Sequence, residues 1–449
     1  MRFQFHLYAL FIVILLGFQG MGARIAFAAD EWKSSIGAEL GIGGLYYLQE
    51  QAPDHKTPQG IISAKIPASL RYGRTWRLRL LATGTANPQN ISKEERVYGD
   101  FPEAYMQWQN LPFTLQLGFN TVTWGVTDGY NPLDIVNPRR YFDPLRSEKL
   151  GSFMFLAKRD FDGGLVEALY IPKQREAILP GENSRWLPRE VFVSPSVGTG
   201  FGSARVVLPT TLRYHYLSSL ELNNALDNNF GLRIKKQFSG LDLSAVAFEG
   251  AANTPAVNLA RITANATSLF PTLTFVVDPD VYLQAAYYKT RVYGASAVLA
   301  AGDFLLKAES AYTKPISVRN DLPERVIESV FGIERTMALG AGSLTTLLQG
   351  SYGDRKEAAN TSSTSLARIF DRGAMIALRY MPSEKLTWLS SFLRDTKYKG
   401  NFIHSDINYA LSDTVKISAG AEFLKGDAET PLGTYEKNDR VMLGFNCHW

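Results

Sequence analysis

Val415-Lys416-Ile417-Ser418-Ala419-Gly420-Ala421-Glu422-Phe423 alternates with a period of two. Successive side chains of a strand leave on opposite sides. Val415, Ile417, Ala419, Ala421 and Phe423 therefore share one face, and Lys416, Ser418, Gly420 and Glu422 the other. The pattern recurs along the chain. Ile403, Ser405, Ile407 and Tyr409 oppose His404, Asp406, Asn408 and Ala410; Leu115, Leu117 and Phe119 oppose Gln116, Gly118 and Asn120. Trp76, Leu78 and Leu80 oppose Arg77 and Arg79, and Leu232 and Ile234 oppose Arg233 and Lys235. One apolar and one polar face would also suit a soluble sandwich. The recurrence of such segments, their length near about ten residues and the scarcity of helical periodicity favour an all-β, transmembrane, antiparallel up-and-down β-barrel.

Turn residues punctuate the strands. Short turns fall at Ser239-Gly240, Ala301-Gly302-Asp303, Gly340-Ala341-Gly342, Pro382-Ser383-Glu384 and Leu411-Ser412-Asp413. Longer polar stretches, such as 354–367 and 426–438, lie between them. Short turns at one end and long outer loops at the other are the pattern of outer-membrane barrels, whose even strand numbers point to about 18 strands, within roughly 16 to 20.

Both ends of the chain agree with export to an outer membrane. Arg2 precedes an apolar stretch, Leu7 to Phe18, and Ala26-Phe27-Ala28 supplies small residues where a signal peptidase reads. Residues 1–28 are expected to be a cleaved signal peptide, and 29–449 a single barrel. At the other end Val441, Leu443, Phe445, Cys447 and Trp449 share one face. An alternating last strand ending on an aromatic resembles the assembly signal of outer-membrane barrels, so Trp449 is expected to engage the barrel-assembly machinery. Aromatic residues make up 12% of the chain, an excess that interfacial girdles against membrane lipid would absorb. Cys447 is the only cysteine, so no intramolecular disulfide can form.

Two stretches break the hairpin rhythm. Thr121 to Asp160 carries Asn131-Pro132, Asn137-Pro138, Asp143-Pro144 and Asp128-Gly129, which restrict or turn the backbone. Connections this long are usually functional. The expectation is a loop folded into the lumen, with Trp124, Asp128, Asp134, Asn137, Arg139 and Arg140 as constriction candidates; the alternative is an external cap. Pro172 to Gly202, rich in proline and glycine, is assigned to neither side of the membrane.

Gly118-Phe119-Asn120, Thr123-Trp124-Gly125, Asp128-Gly129 and Asp134-Ile135-Val136-Asn137-Pro138 resemble the signature of a porin-like family of large, broadly uncharacterised outer-membrane barrels. The resemblance covers roughly Phe113 to Phe155. It implies the fold and carries over no ligand or catalytic residue.

If the polar faces line a lumen, Arg77, Arg79, Arg233, Lys235, Lys307, Arg379 and Lys416 lie inside with Glu309, Glu328, Glu334, Asp406 and Glu422. Charges in a pore wall set ion preference, although opposite charges on neighbouring strands can also pair and merely stiffen the wall. Arg77 and Arg79, with Arg71 and Arg74 nearby, form the densest basic feature.

Catalysis has little support. Of five histidines, His6 lies in the leader, and His55, His215, His404 and His448 show no close metal-ligand spacing. His404 with Asp406 reads best as a hydrogen-bonded lumen pair. Asp160-Phe161-Asp162-Gly163-Gly164 is only a fragment of a calcium loop. No metal or other cofactor is expected, and a net charge of +4 without a dense basic block gives no nucleic-acid surface.

These features favour a channel for passive diffusion of small polar solutes, with a mild anion preference. A carrier of hydrophobic compounds is the second reading, but the first strand is expected near Ser35, which leaves no room for an N-terminal plug. An outer-membrane enzyme or structural protein is the third.

Overall fold

The computed structural model describes residues 32–449 apart from 52–56, 189–195, 200–201, 208, 210, 269–273, 318, 320–321, 357–365 and 429. The expected signal peptide and His55 lie outside the described residues.

Eighteen antiparallel strands close into one barrel. The first, β1, is interrupted at Gly37-Ala38 and runs as Trp32–Ile36 and Glu39–Tyr47. Next come β2 (Pro58–Tyr72), β3 (Trp76–Ala86), β4 (Val97–Asn110), β5 (Phe113–Asn120), β6 (Ser152–Phe161) and β7 (Gly164–Lys173). Then follow β8 (Asp227–Phe238), β9 (Leu241–Ala251), β10 (Lys289–Ala301), β11 (Phe304–Pro315), β12 (Arg325–Leu339) and β13 (Gly342–Lys356). The wall ends with β14 (Gly373–Ser383), β15 (Leu386–Asp395), β16 (Asn401–Ala410), β17 (Val415–Lys425) and β18 (Arg440–His448). Each strand pairs with its neighbour in this order, and β1 meets β18 in the register Glu39↔His448 to Tyr47↔Arg440. Closure pairs the edges of the first and last strands, as a hydrocarbon environment requires, while Trp32–Ile36 extends beyond this seam on β2 alone. Among the described residues no helix is long and apolar enough to cross a membrane.

All tight turns lie at the end that also holds Trp32 and Trp449, here the turn end. Trp449 N–H donates to Ala38 O at 2.9 Å, and Trp449 O accepts from Ala38 N–H, so the last residue completes the seam. Outward positions alternate with inward ones as the sequence requires. Trp76, Leu78 and Leu80 are exposed on the outer face, while Arg77 and Arg79 turn inward. Exposed outward aromatics gather at both ends: Trp32, Trp76, Phe113, Phe238 and Phe304 at the turn end, Tyr46, Phe119, Phe230 and Phe392 at the loop end. Between them outward positions are mostly aliphatic, including Leu115, Leu232, Leu348, Ile376 and Ile417.

Two features depart from the expected outline. The long loop ends at Gly151 and not at Asp160, because Ser152–Phe161 is strand β6. Phe153 and Phe155 face outward while Met154 and Leu156 are buried inward. An apolar run on both faces lacks the alternation that marks a strand, yet a strand buried on both sides should read that way. The stretch from Pro172 divides likewise: Pro172-Lys173 ends β7, and the described residues after Gln174 lie at the loop end. There a second sheet forms. Its central strand, Thr274–Tyr287, pairs antiparallel with Ala256–Ser268 and in parallel with Gly202–Val207, Arg213–Tyr216 and Leu220–Glu221.

Candidate functional site

The segment Thr121–Gly151 enters the barrel and is held by inward side chains from much of the wall. Asn137, 1% exposed, ties its two ends together. The side chain accepts from Val122 N–H at 2.7 Å and donates to Asn120 O and Leu150 O, both at 3.0 Å. Trp124 Nε1 donates to Glu167 on β7, and its ring lies against Gly231 on β8, where a Cβ would meet Trp124 Cη2 at 2.4 Å. Leu133 sits against Gly294 of β10 in the same way, at 2.2 Å. With Val122 and Val136 these side chains pack onto Met154, Leu156, Leu169, Ile171, Val246, Phe248 and Val292, giving the barrel a hydrophobic core on its inside.

Polar anchors follow around the wall. Glu309 on β11, 3% exposed, accepts the backbone N–H groups of Val126, Thr127 and Leu133 at 2.7, 3.2 and 2.7 Å. Asp128 binds Lys307 at 2.7 Å, and Lys307 also binds Glu334 at 2.9 Å. Tyr130 donates to Glu328 on β12 at 2.6 Å and stacks on Phe370 with centroids 4.3 Å apart. Further along, Asp143 pairs with Arg440 on β18 at 2.6 Å and Arg146 with Glu422 on β17 at 3.0 Å. Asp134 is an internal partner of Arg139 and Lys149. Arg140, 4% exposed, binds Glu148 at 2.8 Å and lies over the Tyr98 ring.

A second segment, 174–188, is stitched to the first. Gln174 Nε2 donates to Val136 O at 2.6 Å, and Ile178 N–H to Arg139 O at 3.0 Å. Arg175 binds Asp100 on β4 at 2.9 Å. Gly181 N–H donates to Glu95 in the short helix Lys93–Arg96, and burial there pushes the Glu95 carboxyl above the usual carboxylate range. Arg185 reaches the seam, donating to Gln49 O at 2.9 Å and Lys437 O at 2.8 Å beside the Tyr47 ring. The two segments are thus packed against each other and against the inner wall.

By strand parity every charged wall residue singled out from the sequence turns inward, but their surroundings divide them. Glu167, which the sequence reading missed, pairs with Lys158 at 2.9 Å and Arg233 at 3.5 Å. Lys235 binds Asp242 at 3.1 Å, and Arg79 binds Glu103 at 2.8 Å. His404 lies between Asp406 at 3.0 Å and Glu422 at 3.2 Å, while Glu422 also binds Arg440 at 2.6 Å. Arg77, Arg379 and Lys416 have no ion pair among the described residues. The Asp160–Gly164 fragment is the β6–β7 turn, with Asp162 O accepting from Lys236 Nζ. The apolar docking surface was also missed; its signals are Ser152-Phe153-Met154-Phe155-Leu156-Ala157, apolar on both faces, and the small inward Gly231 and Gly294.

No protein-family model matches the chain, and no curated protein sequence matches it. Solved structures do. Acinetobacter baumannii OccAB1 aligns with a TM-score of 0.52 at 9% identity, covering 96% of this chain and 99% of that one. OccAB3 of the same organism aligns at 0.50 and 9% identity, covering 93% and 99%. A triple mutant of the Rhodopseudomonas blastica porin aligns over 93% of this chain and all of its own, at 12% identity with a TM-score of 0.41. At such low identity the likeness to the first two speaks to the fold, and the chain has the fold of these large closed antiparallel barrels.

Proposed function

We propose that the protein is an outer-membrane channel for passive diffusion of small polar solutes, narrowed by the segment Thr121–Gly151 and mildly selective for anions. The observation that carries this reading is the anchoring of that segment across the lumen, to Glu167, Glu309, Glu328, Glu422 and Arg440 on strands far apart around the wall. An external cap would not need inward partners on so many strands. Anion preference is supported by the inward cations that have no acidic partner among the described residues, Arg77, Arg379 and Lys416, since an uncompensated charge in a low-dielectric passage concentrates counter-ions. Lipid faces the outer surface between the aromatic girdles, the tight turns face the periplasm, and the strand ending at Trp449 is read by the assembly machinery.

The test is planar-bilayer recording of the refolded protein under a salt gradient. Discrete conductance steps with a reversal potential on the anion side are expected. A folded barrel that adds no conductance would refute the channel reading.

A further inference from the structure

We infer that the turn-end mouth of the lumen holds a binding site for a small oxyanion, carboxylate or phosphate, built from Lys33, Arg71 and Arg77. The inference deepens the channel reading and rests on it for its biological use.

Strand register places Lys33 on β1 opposite Arg71 on β2, and Arg71 opposite Arg77 on β3. All three occupy inward positions, since their neighbours Trp32, Tyr72, Trp76 and Leu78 are the exposed outer face. Side chains directly opposite on paired strands have Cβ atoms about 4.5–5.5 Å apart, and like charges there oppose folding. At two other places where cations gather inside the barrel an acid stands among them: Glu167 between Lys158 and Arg233, and Glu422 beside Arg440 and the loop residue Arg146. In this row none of the three has an ion pair among the described residues. Arg79, one inward position further along β3, is held by Glu103, so that carboxylate is already engaged.

The row continues as donors. Arg77 stands opposite Gln107 on β4, and Gln107 opposite Gln116 on β5. Gln116 Nε2 donates to Gln107 Oε1 at 2.9 Å, and Gln107 Nε2 to Gln109 Oε1 at 3.2 Å. Each amide spends one N–H on its neighbour and keeps its second. Two guanidinium forks, an ammonium and amide N–H groups thus stand side by side, with no carboxylate in the row among the described residues. A guanidinium pairs with the two oxygens of a carboxylate or phosphate through parallel hydrogen bonds, which a spherical halide cannot match. An oxyanion bridging Arg71 and Arg77 would remove the like-charge contact and satisfy both forks.

Equilibrium binding to the detergent-folded barrel tests the site without requiring conduction. Inorganic phosphate, acetate and succinate are titrated by calorimetry at constant ionic strength, with chloride as the balancing salt. Saturable binding is expected for at least one oxyanion, weakened at least tenfold in Arg71→Gln/Arg77→Gln and unchanged in Arg291→Gln, which removes an outward arginine. The phosphate and carboxylate arms tell which class the row prefers. Absence of saturable binding, or equal affinity in the double variant, overturns the site even if the protein conducts. Should that variant fail to fold, Arg71→Lys/Arg77→Lys keeps the charge and removes the forks. It should lose the preference for oxyanion over chloride, and retention of that preference would overturn the proposal. A protein that binds oxyanion but never conducts would instead refute the channel reading alone.

Discussion

Across β6 to β13 the inward charges are paired: Glu167, Asp242 and Glu334 each hold a cation, Asp371 just before β14 holds Arg355 of β13, and Trp124 and Leu133 cover an apolar patch between them. Across β1 to β3, at the turn end, Lys33, Arg71 and Arg77 stand in one row with no acid among the described residues. The two regions share one strand geometry and differ in what covers them. Where loop segments dock, an unpaired charge would be buried and would oppose folding by several kcal/mol, so each cation there has a partner. Where the wall stays wet, a lone cation is tolerated because water and mobile counter-ions solvate it. Charge in the barrel wall is thus paired under the loops, and in the Lys33–Arg71–Arg77 row it is left without an acid among the described residues.

The largest effect that would break this contrast comes from replacing residues 123–149 with a short Gly-Ser linker. Single-channel conductance should rise several-fold, because the aqueous path widens. The unfolding temperature should fall as Met154, Leu156, Val246 and Phe248 lose their cover. Conductance equal to that of the intact protein would place the segment outside the ion path.

Glu422→Ala should come next. It strands Arg440, 1% exposed, with Asp143 as its remaining acid. Removing one member of a buried pair costs about 3–5 kcal/mol, so the heat-modifiable folded band should be lost at a lower temperature or denaturant concentration. Glu422→Gln with Arg440→Met, which removes both charges, should be distinctly milder. A double variant as unstable as the single one would mean that side-chain volume, and not charge, matters at this position.

A smaller effect sharpens the contrast within one strand. Arg77→Ser removes a free charge and should move the reversal potential toward cations at 0.1 M salt. The shift should fade toward 1 M salt, as the screening length drops from about 10 to about 3 Å. Arg79→Gln together with Glu103→Gln removes a neutral pair and should leave the reversal potential in place. Equal shifts would show that pairing does not decide selectivity.

The smallest effect concerns the joint between Glu95 and segment 174–188, outside the barrel strands. Burial raises the Glu95 pKa in the folded protein. The folded state therefore binds the proton more tightly than the unfolded chain, and the docked segment loses stability as pH rises from the ordinary carboxylate range through the raised value. Limited proteolysis near residue 188 should be slower at pH 5 than at pH 7.5. Glu95→Gln can still accept from Gly181 and should cleave at one rate at both pH values; a persisting pH difference would assign the effect to another group.

Local sequence determined the membrane-facing architecture. Alternation at Val415–Phe423 or Trp76–Leu80 has a period of two whatever the rest of the chain does, and the tight turns at Gly240, Gly302 and Gly340, each with positive φ, sit where strand must reverse. An Arg on the lipid face would cost about 2–4 kcal/mol at the membrane centre, so parity alone assigned Arg77, Arg233 and Lys416 to the interior. What parity cannot report is who stands across a gap of many residues. Arg77 and Arg79 look equivalent along the strand, and only the pairing of β3 with β4 gives Arg79 its Glu103, while the pairing of β1, β2 and β3 lines Arg77 up with Arg71 and Lys33. The inward core of Trp124 and Leu133 was hidden for the same reason. Its other half comes from inward positions on β6, β7, β9 and β10, where Met154, Leu156, Leu169, Ile171, Val246, Phe248 and Val292 break the polar inner face that parity leads one to expect.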